Sequence, residues 1–160
     1  MYSRILVPLE HSPADATILA HVRTLARENK AFVLLMHVAD GWGARLADTL
    51  TLRESEEIRE DRAYLEARCA ELEAAGIDAD ALLAAGDPAK EIVLAAEKEK
   101  VDLIAMATHG HRLFGDILRG SVANEVRHRT LIPVLLVRAT PAAPPPGPSE
   151  SPPGAGRAPS

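Results

Sequence analysis

Short continuous apolar runs alternate along this chain with longer segments of helical period. Ile5-Leu6-Val7-Pro8-Leu9 and Phe32 to Val38 are apolar without a polar face, the pattern of strands covered on both sides of a parallel sheet. Val101-Asp102-Leu103-Ile104-Ala105-Met106 and Pro133 to Val137 have the same character, and Ile77 to Ala84 is a weaker candidate. Between the first two runs, Ala14, Ile18, Val22, Leu25 and Ala26 form a stripe at helical spacing. Ser12 is placed to cap that helix, Pro13 to take its first position and Asp15 to lie in its first turn. A second helix is expected from about Leu52 to Ala75, with Ile58, Leu65, Cys69 and Leu72 on one face and Gly76 at its end. Asp87 then caps and Pro88 opens a helix to about Glu99, and a last helix follows Gly120. This β-α-β-α order predicts an α/β fold: a five-stranded, mostly parallel, doubly wound sheet with helices on both faces.

Composition narrows the class. At 160 residues the chain is one domain by length, and with few aromatics its core must be aliphatic and alanine-rich. The one cysteine, Cys69, excludes an intramolecular disulfide framework, fits a reducing compartment and reads as packing on a helix face. A net charge of −5 argues against a nucleic-acid footprint. No apolar run is long enough to span a bilayer, and the chain enters a strand directly after Met1, so a cytoplasmic protein with no membrane partner is expected. From Ala139 to Ser160 the composition changes abruptly: eight of the twelve prolines lie here with almost no large apolar residue. Such a tail cannot offset its chain entropy by burial, so residues 139–160 are expected to be disordered beside a folded unit of residues 1–138.

The fourth strand leads into Ala107-Thr108-His109-Gly110, and Gly120-Ser121-Val122 follows after nine further residues. A strand, a glycine-marked loop and a helix start form a place to hold phosphate. Glycine lets backbone approach the anion, the first N–H groups of a helix are unpaired, and the macrodipole favours negative charge. The segment is not a P-loop, because Gly115 and Gly120 are followed by Ser121 without the phosphate lysine. Phosphate charge would then fall to backbone N–H groups and to His111, Arg112 or Arg119, which suits holding a nucleotide better than transferring its γ-phosphate. A second reading of the same glycines is a tight connection only. His109 and His111 invite a metal, but alternate side chains of an extended loop diverge and no further ligand is near in sequence, so no metal site is assigned. His37 reads as a hydrogen-bonded strand histidine, while His11, His21 and His128 carry no constellation.

Taken together, Ile5-Leu6-Val7-Pro8, Leu35-Met36-His37-Val38, Gly86-Asp87-Pro88, the Gly110/Gly120-Ser121 spacing and Ile132 to Val137 resemble the universal stress protein family. Its nucleotide-binding members carry G-x2-G-x9-G-[ST], and here Ala107 stands in place of the first glycine. The resemblance implies strand order 3-2-1-4-5. That order reverses between strands one and four, and ligands of such sheets lie beyond the carboxyl ends of the strands at the reversal. It also implies ATP as the ligand, with any Mg²⁺ carried largely by the phosphates. The first strand would supply Pro8, Leu9 and Glu10 to the site, and the second Val38, which matches a position lining the adenine pocket. The motif segment would supply Met106, Ala107, Thr108, His109, Gly110, Arg112, Gly120, Ser121 and Val122. Glu10 stands where relatives usually have Asp near the adenosine; a solvated carboxylate at a helix entry is the other reading. The fifth strand would leave an apolar edge, which relatives often pair across a two-fold axis, so a homodimer is expected. The implied function is an adenine-nucleotide-binding stress sensor or regulator. The alternatives are a dimeric interaction protein of the same fold without nucleotide, or a slow ATPase.

Overall fold

Ile5, Leu6 and Val7 have no solvent exposure, so the strand they form is covered from both sides. The computed structural model describes residues 1–40, 51–108 and 117–139. In chain order the elements are β1 (Arg4–Pro8), α1 (Ala14–Asn29), β2 (Phe32–Asp40), α2 (Thr51–Ala74), β3 (Ala79–Gly86), α3 (Pro88–Lys98), β4 (Leu103–Thr108), α4 (Ile117–Arg129) and β5 (Val134–Arg138). The strands make one sheet in the order β3-β2-β1-β4-β5, every neighbouring pair parallel. This is the expected α/β architecture, with the reversal between β1 and β4.

Strand alternation divides the core into two layers. Ile5, Val7, Val33, Leu35, Leu103 and Ala105 point to one face, where they meet Ile18 and Val22 of α1 and Leu65, Cys69 and Leu72 of α2. Leu6, Leu34, Met36, Ile104 and Met106 point to the other face, against Ile92 and Ala96 of α3 and Ala123 and Val126 of α4. Cys69 is 8% exposed in the first layer. Burial, with Asp80, Glu73 and Glu66 adding smaller charge effects, pushes its thiol up to about 11, in keeping with a packing role.

Three local readings are corrected by the structure. Ile58 is 42% exposed and does not continue the inward face of α2; the buried residue one turn before Leu65 is Asp61, at 8% exposure. α1 begins one residue later than expected, with Pro13 rather than Ser12 at the cap, and no side chain bonds the cap. The Ser12 hydroxyl instead accepts from the Ala14 N–H at 3.3 Å. β3 starts two residues after the expected position, because its alanine-rich sequence carries little periodic signal. Other signals hold. Asp87 caps α3 by accepting the Lys90 N–H at 2.8 Å, with Pro88 in the first turn. Gly76 closes α2 with φ 77°, and its N–H donates to the Glu73 carbonyl at 2.8 Å. Residues 41–50 and the tail from Thr140 lie outside the described residues. Among the described residues no helix is long and apolar enough to cross a membrane.

Candidate functional site

The carboxyl ends of β1 and β4 part at the reversal of strand order. β1 pairs with β2 along its whole length, from Arg4↔Phe32 to Pro8↔Met36. Its ladder with β4 comprises only Ile5↔Leu103 and Leu6↔Ile104. Pro8 supplies a physical reason. The Leu9 N–H donates to the Met36 carbonyl on β2, while the Arg4 carbonyl accepts from Asp102 on the β4 side. By the two-residue alternation Pro8 faces β4, where proline has no N–H to give. The β1/β4 ladder therefore ends before Pro8-Leu9-Glu10 and Met106-Ala107-Thr108.

The residues read as site residues divide between the two faces of the sheet. Val38, Met106 and Val122 share the apolar cluster on the α3/α4 face. Leu9 and Ala107 belong to the cluster on the opposite face. Pro8, Glu10 and Thr108 are half-buried at the strand ends. His109, Gly110, His111 and Arg112 lie outside the described residues. α4 begins at Ile117, ahead of the expected start after Gly120. Gly120 is thus the fourth residue of the helix, just past the N-terminal residues whose N–H groups lack an intrahelical partner, and Ser121 lies one beyond.

A network that sequence reasoning missed fixes the loop after β1. Asp15, 2% exposed in the first turn of α1, accepts the Glu10 N–H at 3.0 Å and the Ser12 N–H at 3.2 Å. Its second oxygen also accepts the Tyr64 hydroxyl at 2.8 Å. Burial, reinforced by that hydrogen bond and the Asp15 charge, holds the Tyr64 hydroxyl well above its ordinary range, so it stays a donor. The Tyr64 ring stacks on His11 with centroids 4.1 Å apart. His11 Nδ1 is 3.0 Å from Oδ1 of Asp61, and His37 Nε2 is 3.4 Å from Oδ2 of the same carboxylate. The other nitrogen of His37 donates to the Leu9 carbonyl at 2.9 Å, which confirms a hydrogen-bonded strand histidine. His11, read from sequence as isolated, is corrected: its partners come from α2, 50 positions away. The available signal was Asp61 itself, a carboxylate one turn before Leu65 on a stripe that faces the core. Among the described residues no group of three His, Cys, Asp or Glu side chains is arranged to hold a metal ion, this trio included.

Comparison with known proteins places the chain among relatives. The model of the universal stress protein family matches residues 1–138. Universal stress protein MJ0577 of Methanocaldococcus jannaschii is 31% identical over 155 residues, covering 86% of this chain and 96% of that protein. A structure of MJ0577 superposes with a TM-score of 0.76 over 88% of this chain and 98% of the other. A universal stress protein in complex with cAMP superposes at 0.66, with 21% identity, over 87% of this chain and 98% of the other. The Archaeoglobus fulgidus universal stress protein in complex with dAMP superposes at 0.63, with 23% identity, over 84% of this chain and 97% of the other. At those last two identities the likeness is one of fold.

Proposed function

This chain belongs to the universal stress protein family, and we propose that it binds an adenine nucleotide, ATP, at the β1/β4 crevice and acts as a stress-response sensor or regulator. The observation that carries this reading is the parting of β1 and β4 where the sequence resumes with Gly110, nine residues, and Gly120-Ser121. In support, relatives of the same fold are known in complex with cAMP and with dAMP. In this proposal Val38, Met106 and Val122 give the adenine an apolar wall. Pro8, Leu9 and Glu10 flank the adenosine, and Glu10 accepts hydrogen bonds from it. Ala107, Thr108, His109, Gly110 and Arg112 border the phosphate path, which ends at the first turn of α4. Gly120 lets the phosphates approach, and Ser121 contributes its hydroxyl. The phosphates carry any Mg²⁺. Bound ATP would change a surface that a partner reads.

The direct test is mass spectrometry of ligand released from freshly purified protein, with calorimetric titration of ATP. An adenine nucleotide is the expected ligand. If none is released and ATP produces no heat, the chain is instead a dimeric interaction protein of this fold. Turnover with and without Mg²⁺ separates a holder of ATP from a slow ATPase. Glu10→Ala should weaken adenosine binding by about 1–2 kcal/mol, the scale of one hydrogen bond to a charged group. Unchanged affinity in that variant would remove Glu10 from the site.

The proposal extends to a homodimer through β5. That strand is the outer edge of the sheet, with Leu136 39% exposed on it and Leu131 fully exposed just before it. Leu135 and Val137 already pack against the α1/α2 layer, which makes Leu136 the informative position. Leu136→Lys should convert a dimer to a monomer at micromolar concentration by light scattering. A wild-type protein that is monomeric there would end this part of the proposal.

A further inference from the structure

Asp61 is a carboxylate on an otherwise apolar face. It precedes Leu65, Cys69 and Leu72 on the inward side of α2, where an aliphatic residue would continue the stripe at no desolvation cost. Its two oxygens serve two different elements. Oδ1 meets His11, in the loop after β1, at 3.0 Å. Oδ2 meets His37 of β2 at 3.4 Å, and the far nitrogen of that ring holds the Leu9 carbonyl at 2.9 Å. Glu10 therefore sits between two points, the Leu9 carbonyl and the His11 side chain, that lead back to the same carboxylate. His11 also has φ 57°, in the left-handed region that disfavours residues with a Cβ. An L-residue persists there when its surroundings over-determine it. Here they are the Asp61 contact and the stacked Tyr64 ring.

We propose that Asp61 is a positioning residue for the adenosine end of the crevice: from α2 it clamps His11 in the left-handed conformation and thereby sets the segment that carries Glu10. This rests on the nucleotide reading above for its ligand, but not for its effect on the loop. The clamp ties the placement of α2 to the shape of the site, so a change at one is felt at the other.

The proposal distinguishes holding the loop's conformation from merely docking α2. Glycine adopts φ near 57° without a clamp. Asp61→Asn should lower adenosine affinity about tenfold, the scale of one lost hydrogen bond to a charged group. It should also speed hydrogen exchange at the Glu10 and Ser12 amides, leaving those of Ile5 to Val7 unchanged. Adding His11→Gly to Asp61→Asn should restore both readouts most of the way to wild type, because the loop then needs no clamp. Adenosine is the probe because it lacks the phosphates held elsewhere. Unchanged Glu10 and Ser12 exchange in Asp61→Asn would overturn the proposal, as would a double variant that recovers nothing. If Asp61→Asn does not fold, His11→Ala removes the clamp from the loop side, and the same exchange comparison decides. A wild-type protein that takes up no adenosine removes the nucleotide reading alone; the exchange data still settle the role of Asp61.

Discussion

Gly120→Val is expected to abolish ATP binding while leaving the domain folded. Gly120 is the fourth residue of α4, directly behind the N-terminal residues whose N–H groups have no intrahelical partner. A branched side chain there would stand in the path by which phosphates reach the helix start. The helix itself should not suffer, because valine is a somewhat better helix former than glycine. Lost binding would then report steric exclusion and not unfolding. Adenosine should lose much less affinity than ATP in this variant, since it lacks the phosphates at issue. Ser121→Ala should be milder than Gly120→Val, as it removes one hydroxyl and adds no bulk. Calorimetry on the folded Gly120→Val protein is the measurement. Wild-type-like ATP affinity would place the phosphates elsewhere and reduce the Gly110/Gly120 segment to a tight connection.

Asp15→Ala should cost about 3 kcal/mol of stability, the largest loss expected from a single polar side chain here. Three donors converge on the Asp15 carboxylate: the Glu10 N–H, the Ser12 N–H and the Tyr64 hydroxyl. Hydrogen bonds to a charged group contribute roughly 1.5–3 kcal/mol each, but removing the carboxylate also relieves its own desolvation, so the net falls well below the sum. Asp15→Asn keeps the volume and one acceptor oxygen and should lose less. Urea unfolding should show a lower midpoint at unchanged slope. A loss below about 1 kcal/mol would mean that water replaces the carboxylate, and that the loop after β1 does not depend on it.

These two positions differ in how far they could be read in advance. Gly120 announces itself, because its spacing from Gly110 and the following serine are local features of the chain. The sheet was legible for a similar reason. Runs such as Ile5 to Leu9 have no polar face because helices cover both sides, and Asp87-Pro88 marks a helix start by its own chemistry. Strand order came from the family resemblance, since runs and caps do not encode neighbours. The Asp61 network was not legible. His11, His37 and Asp61 are ordinary in their local contexts and become a cluster only when β1, β2 and α2 are assembled. Ile58 was misplaced on the core face because it is apolar and near the right phase; the helix presents Asp61 instead, trading an aliphatic contact for a hydrogen bond. Asp15 was read as a first-turn acid suited to the helix dipole. It does lie in that turn, but its oxygens turn back to the preceding loop.

Pro8 has a kinetic consequence beyond its place in the sheet. Two parallel strands side by side would ordinarily zip together to their ends, and a ligand entering between them would first have to break that ladder. β1 lacks a donor that would extend it on the β4 side, so the chain's own covalent structure denies the ladder that bond. The opening is settled once, during folding, and does not recur as a barrier at each encounter. Association at this crevice should therefore be limited by diffusion and orientation, leaving residence time as the quantity that sequence variation around the crevice tunes.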